Sequence, residues 1–470
     1  MFQTATKLRM TIRANIPRML WVMAVTLISL STWGAKLKVS ENKRFLVYED
    51  NKPFFYLGDT AWELFHRLGR EDADRYLQVR ADQGYTVIQA VVLAELNGLQ
   101  DPNPYGHTPL KNGDPTQLNE DYFRHVDYIV GKAEKLGLFI GMLPTWGDKV
   151  GPKAWGVGPE VFTKENAAVY GELLGKRYKD RQIIWILGGD RTSDDPKHQA
   201  IWRAMAQGLR KAVGKNQLMT YHPPGGQNSS KWYHNEEWLD FNMWQNGHCD
   251  DVMVWERIQS DYNREPIKPV MDGEPLYEDH PICFKPKEQG YSNAADVRRF
   301  LYLNLFSGAF GHTYGNHSVW QMHAPGRKGV NGPLSFWYEA IERQGAVQMR
   351  YGKDLVLSRP FMTRIPDQTL IVSDPGSGAK RIQATRDSER TYAMIYAAAS
   401  RTFTLDLEKL KGEKLRVWWF NPRTGDAKGM PEMERKGKHD FTPPDAGENI
   451  DWVLVLDDAA KNYPAPGKAK

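Results

Sequence analysis

The chain has 470 residues, with 62 Lys and Arg against 57 Asp and Glu, 41% apolar side chains and 16 Trp. That length exceeds one typical core, so a large domain with a smaller partner is expected, and that apolar content excludes a disordered chain. The formal charge of +5 owes four of its units to Lys7, Arg9, Arg13 and Arg18, which no acidic residue offsets before residue 35; no later Lys/Arg block stands out except the end "PAPGKAK", so nucleic acid is not expected as a partner.

Those four basic residues precede the apolar run Met19 to Leu30, followed by small residues around Thr32-Trp33-Gly34. The run is too short to span a bilayer and reads as a secretory signal over residues 1–34. Export to the periplasm or the extracellular space is expected, with no stable membrane insertion after cleavage. A buried N-terminal helix is the competing reading. Two cysteines follow, Cys249 and Cys283; one bridge and two buried thiols are both open, because sequence gives no distance between them.

From residue 54 to about 345, β-rich runs alternate with segments of helical period. "PFFYLGDTA" precedes "EDADRYLQVRADQG", "TVIQAVVLAEL" precedes "YFRHVDYIVGKAEKLG", and "LFIGMLPTW" precedes "ENAAVYGELLGKRYKD". "QIIWILGGD" leads to "HQAIWRAMAQGLRKAVG", then come "LMTYHPP", "LDFNMWQNGH", a helix near 250–263, "KPVMDGEP", the helix "AADVRRFLYLNLFSG", "FGHTYGN" and a last helix "LSFWYEAIERQGAVQMR". Continuous apolar strands alternating with helices imply a parallel sheet covered by helices. Eight such units predict a (β/α)8 TIM barrel over residues 37–355. An open nucleotide-binding sheet would want G-x-G-x-x-G after the first strand, where "LGDTAW" offers one glycine.

After residue 360 the pattern becomes short and alternating: "TLIVSD", "KRIQATRD", "TYAMIYAAA", "RTFTLDLEKL", "LRVWWFNPRTGDA" and "DWVLVLDD". These runs predict a separate antiparallel β-sandwich over residues 360–460. Trp418 and Trp419 within it are adjacent on a strand, so one of them is expected to face the core rather than a sugar.

In such a barrel the C-terminal strand ends converge on one mouth, where catalysis is placed. Polar and aromatic residues predicted there are Asp59, Gln89, Glu95, Trp146, Asp148, Asp190, Tyr221, His222, Trp244, Asn246, Glu274, His312 and Tyr314. Carboxylates among aromatic rings suit a carbohydrate. Asp190 ends an apolar strand through Gly188-Gly189, and Glu274 ends "VMDGE"; strands four and seven face each other across the mouth, as an acid and a nucleophile flanking a glycosidic bond would. A helix cap is the competing role for Asp190, and a structural ion pair for Glu274. Asp272, on the same strand face, is expected to orient Glu274's surroundings, and Arg191 is expected to point outward. Trp320 is either wall or stacking platform. The histidines show no ligand spacing, so neither a metal nor another cofactor is expected.

The strings "FLVYEDNKPFFYLGDTAWELFHRL", "GYTVIQAVVLAELNGLQDPNPYGHTPL", "WILGGD" and "VMDGEPLYE" closely resemble glycoside hydrolase family 140, the apiosidase-like glycosidases, over residues 37 to 455. The tail is similar to a module labelled collagen-binding. The resemblance implies a barrel with an attached sandwich, exo-acting release of apiose from rhamnogalacturonan II side chains of plant pectin, and Asp190 as acid/base with Glu274 as nucleophile. An oligo- or polysaccharide is then the partner. The alternatives are an exo-glycosidase for another furanoside, such as an arabinofuranoside, and a secreted carbohydrate- or matrix-binding protein with a silent barrel.

Overall fold

The structure is a computed structural model that describes residues 34–151, 155–445, 447 and 449–468. The export signal expected over 1–34 therefore falls outside the described residues, save Gly34. From Gly34 onward the chain forms one compact unit.

A small antiparallel sheet of Leu37–Val39, Leu46–Tyr48 and Pro53–Phe54 precedes the central sheet. The central sheet has nine strands, and eight of them pair in parallel wherever they share a ladder. In chain order the eight are β1 (Leu57–Thr60), β2 (Val87–Leu93), β3 (Phe139–Thr145), β4 (Ile183–Gly188), β5 (Met219–His222), β6 (Asn242–Gln245), β7 (Val270–Asp272) and β8 (His312–Tyr314). Strands β2, β3 and β4 are buried along their whole length, as parallel strands covered on both faces must be. Strand β8 pairs with β1, so the sheet curls into a nearly closed barrel. Its open seam lies between β5 and β6, where the Asp240 amide donates to the Met219 carbonyl at 2.8 Å and Thr220 Oγ1 donates to Phe241 O at 2.7 Å. Gln227–Asn228 adds an antiparallel strand beside β6.

Helices follow the strands, and their starts are written locally. Helix α1 (Arg70–Asp82) buries Ala73, Tyr76, Leu77 and Arg80, one helical face. Helix α2 (Glu120–Lys135) is capped by Asn119, α3 (Lys164–Tyr178) opens on a Thr163/Asn166 capping box, and α4 (Pro196–Val213) starts with Asp195 before a proline. The fifth connection holds only the one-turn helix α5 (Ser230–Tyr233) before β6, which is followed by α6 (Val254–Tyr262). Helix α7 (Ala294–Phe306) is buried on every side from Asp296 on, because it lies between the barrel and the C-terminal strands. The expected last helix breaks into Trp337–Ala340 and α8 (Gln344–Leu357).

The C-terminal part is antiparallel. Six strands, from Arg364–Pro366 to Trp452–Asp458, make one sheet, and Phe403–Asp406 pairs with Lys438–Phe441 in a second. "TLIVSD" forms a short 3-10 turn at Gln368–Leu370 instead of a strand. Alternation gives the larger sheet two apolar faces: Ile395, Trp419, Leu454 and Leu456 pack with Phe403 and Leu405, whereas Met394, Tyr396, Val453 and Val455 join the barrel's own core. Tyr396 stacks on Tyr302 of α7 at 4.8 Å. Trp419 is thus interior and Trp418 packs, partly buried, against the core shared with the barrel.

Candidate active site

The end of β4 shows how local sequence places a side chain. Gly188, Gly189 and Asp190 have φ of +90°, +116° and +53°, a run of left-handed backbone. A Cβ at residue 188 would meet the His222 carbonyl at 2.3 Å, and one at 189 would stand 2.8 Å from the Gly147 amide, so both positions need glycine. Aspartate is among the few other residues that tolerate this region. The turn breaks the extended geometry that would have sent Arg191 outward. Arg191 is instead buried, donates to the Asp190 carbonyl at 2.8 Å and brings a guanidinium nitrogen to 3.9 Å from the Asp190 carboxylate.

Asp190 and Glu274 line one cavity of about 320 Å³ at the C-terminal ends of the strands. Glu274 follows β7, and two imidazoles hold it: His222 Nε2 lies 2.9 Å from Oε2 and His248 Nε2 lies 3.3 Å from Oε1. The Asp190 amide donates to His222 Nδ1 at 3.3 Å, which leaves the proton of that ring on the nitrogen facing Glu274. Burial alone would raise the Glu274 carboxyl, but the two histidines outweigh it and bring it down to about 2. Asp190 moves the other way. Burial, then the charge of Glu274, push it up to about 6, against the smaller pull of His222 and Arg191. Between about pH 2 and 6 one cavity thus holds a protonated carboxyl beside an ionised one, their proton affinities driven apart by their surroundings.

The walls are largely aromatic. Trp62, Trp146, Trp155, Trp320, Tyr277 and Phe284 line the cavity together with His248, His280 and His317. His248 and His280 stack at 4.1 Å, and burial lowers the pKa of His280 and, to about 4, that of His317, so these two rings add polarity without charge near neutrality. Cys249 and Cys283 form a disulfide that joins the loops after β6 and β7, immediately beside His248 and Phe284.

Of the residues expected at the mouth, Asp190, Glu274, Glu95 and Trp146 line the cavity, as does Trp320, and His222 supports Glu274 from beneath. The others lie elsewhere. Asp59 does not face the cavity: Tyr76 and Arg80 of α1 hold its carboxylate, with Arg80 Nε at 2.6 Å. Gln89 is used inside the barrel, bridging Tyr56 and the Gly273 carbonyl at 2.9 Å each. Tyr221 donates to the Arg191 carbonyl, and Tyr314 donates to Glu278 at 2.6 Å. Trp244 packs with Ile258 and Val270. Asp148 pairs with Lys149 at 2.8 Å. Asn246 and Asn304 both donate to Asp272, at 2.7 and 3.0 Å, and Asn304 also reaches His312 at 3.2 Å. That network ties β6, β7, β8 and α7 together just below Glu274, which gives Asp272 a supporting place. Strand residues alternate between barrel interior and helix layer, and being polar near a strand end does not say which.

Sequence reasoning missed His248, His280, His317 and Trp62. The one signal within reach was the cysteine beside His248: a bridge to Cys283 brings the loop after β6 to that after β7.

A family model described as "Apiosidase-like, catalytic domain" matches residues 40–363, and one whose description proposes a collagen-binding domain of a collagenase matches residues 365–457. A solved structure described as a glycoside hydrolase family 5 protein from Bacteroides vulgatus is 34% identical, covering 91% of this chain and 95% of that one with a TM-score of 0.84. Another, described as a glycoside hydrolase, is 36% identical over 91% of this chain and 98% of that one, also at 0.84. A third, again from Bacteroides vulgatus, shares the fold at 15% identity, covering 90% of this chain and 82% of that one with a TM-score of 0.67. No curated protein matches the chain.

Proposed function

The chain belongs to the apiosidase-like catalytic family and is a glycoside hydrolase, and from that premise we propose that it is an exo-acting enzyme releasing apiose from the side chains of rhamnogalacturonan II. The observation that carries the reading is the pair Asp190 and Glu274, which share one cavity while their surroundings drive their proton affinities apart. In the proposed double displacement Asp190 protonates the leaving oxygen, Glu274 attacks the anomeric carbon, and water attacks the glycosyl-enzyme with Asp190 as base. The cavity suits a terminal sugar with its ring against tryptophan faces, at the mouth of a barrel that we take to be of the (β/α)8 kind. The disulfide between Cys249 and Cys283, together with the basic and apolar N-terminus, supports export to an oxidising compartment.

Incubation with apiose-containing pectic oligosaccharides beside arabinofuranoside controls tests the reading. Apiose release by the wild type is expected, with Asp190→Ala and Glu274→Gln each losing about 10²- to 10⁴-fold or more. Cleavage confined to the arabinofuranosides would reassign the sugar. Proton NMR of the first-formed anomer tests retention, and an inverted product would replace Glu274 as nucleophile by Glu274 as base.

A further inference from the structure

Glu95 follows β2 and sits in the cavity wall beside Asp190 and Glu274, only 1% exposed, and neither of its carboxyl oxygens has a hydrogen-bond partner among the described residues. The other acids around it are answered. Glu63 has His66 at 2.5 Å and Arg67, Asp148 has Lys149, and Glu274 has its two histidines. A buried carboxyl left unsatisfied destabilises a fold, so a group of this kind in a cavity wall points to a ligand that completes it. We infer that Glu95 is a specificity-determining residue that hydrogen-bonds a hydroxyl of the sugar held against Asp190 and Glu274. The inference rests on the glycosidase reading of the cavity.

The ionisation of Glu95 decides what it can recognise. Burial, followed by the negative charges of Glu63, Glu274, Asp190 and Asp148, raises its carboxyl well above the usual carboxylate range. Arg191 and Tyr277 are also close enough to feel its charge, but Arg191 already serves the Asp190 backbone. A protonated carboxyl presents one O–H donor and one carbonyl acceptor. It therefore suits a ring carrying neighbouring hydroxyls, one accepting from Glu95 and one donating to it. An ionised carboxylate would only accept, and would set a further anion beside Glu274.

The test compares Glu95→Gln, which keeps a donor and an acceptor, with Glu95→Ala, on whichever of the apiosides or arabinofuranosides the wild type cleaves. Glu95→Ala is expected to lose about 100-fold in kcat/KM and Glu95→Gln about tenfold or less, with Tm unchanged or raised in both. The inference is overturned if Glu95→Gln falls as far as Glu95→Ala, if Glu95→Ala keeps wild-type kcat/KM, or if Tm drops along with activity. If the wild type cleaves no glycoside, the functional reading fails and the ionisation of Glu95 is still read from stability. The folded wild type then keeps a proton that the unfolded chain releases above its ordinary value of 4.5, so Glu95→Gln gains in Tm on the wild type as pH rises above about 4.5. A Tm difference that does not change with pH overturns the protonated, donating state assigned to Glu95.

Discussion

Glu274 and Asp190 titrate on opposite sides of the ordinary carboxylate range, and that fixes a pH dependence for catalysis. The double displacement proposed for this cavity needs Asp190 protonated and Glu274 ionised. The rate therefore falls above about pH 6 as Asp190 loses its proton, and below about pH 2 as Glu274 gains one. A profile of kcat/KM against pH is expected to show the alkaline limb directly, with apparent values that belong to the interacting pair. A substrate with a leaving group that needs no protonation should lose that limb. His248→Ala removes one of the two imidazoles that hold Glu274 down, so the acid limb should move up while the alkaline limb persists. An acid limb that stays in place would remove His248 from the ionisation of Glu274.

At the level of elements, the end of β4 depends on two glycines. In Gly189→Ala the new methyl group meets the Gly147 amide at 2.8 Å and Trp146 at 2.9 Å, on a backbone that L side chains rarely adopt. The turn has to shift and carries Asp190 with it. A displacement of about 1 Å costs on the order of 10²-fold in rate, so kcat should fall by about that much while circular dichroism stays native. The disulfide between the loops after β6 and β7 spans 34 residues. Loop closure of that length contributes about 3 to 4 kcal/mol on the chain-entropy account. Cys249→Ser/Cys283→Ser is expected to lower Tm accordingly and to raise KM, because His248 and Phe284 flank the bridge. Reduced wild type should match the variant in a thermal melt.

For the molecule as a whole, the barrel and the C-terminal sheet share apolar contacts and buried ion pairs. Arg298 of α7 makes a bidentate pair with Asp451 at 2.8 Å for each bond, and Arg359 makes another with Asp457 at 2.8 and 2.7 Å. Removing one partner of such a pair leaves a buried charge uncompensated, at a cost of about 3 to 5 kcal/mol. Asp451→Ala should therefore lower Tm in one cooperative calorimetric transition, since the two parts meet through a common core. Two resolved transitions in the wild type would show that the parts melt independently.

The sequence by itself determined the alternation of apolar strands with capped helices, the switch to short antiparallel strands near residue 360, and the two carboxylates that end β4 and β7. These features are local: capping residues, hydrophobic period and glycine turns act within a few positions of one another. Only the tertiary structure decided which polar residues at strand ends look into the cavity. Asp59 and Glu95 read alike in sequence, yet one is tied to Arg80 and the other faces the cavity with no hydrogen-bond partner among the described residues. The same holds for His248, which a disulfide between distant loops brings against Glu274. The physical reason is that a side chain's partners are set by barrel curvature, strand register and loop crossings, which join residues far apart in the chain.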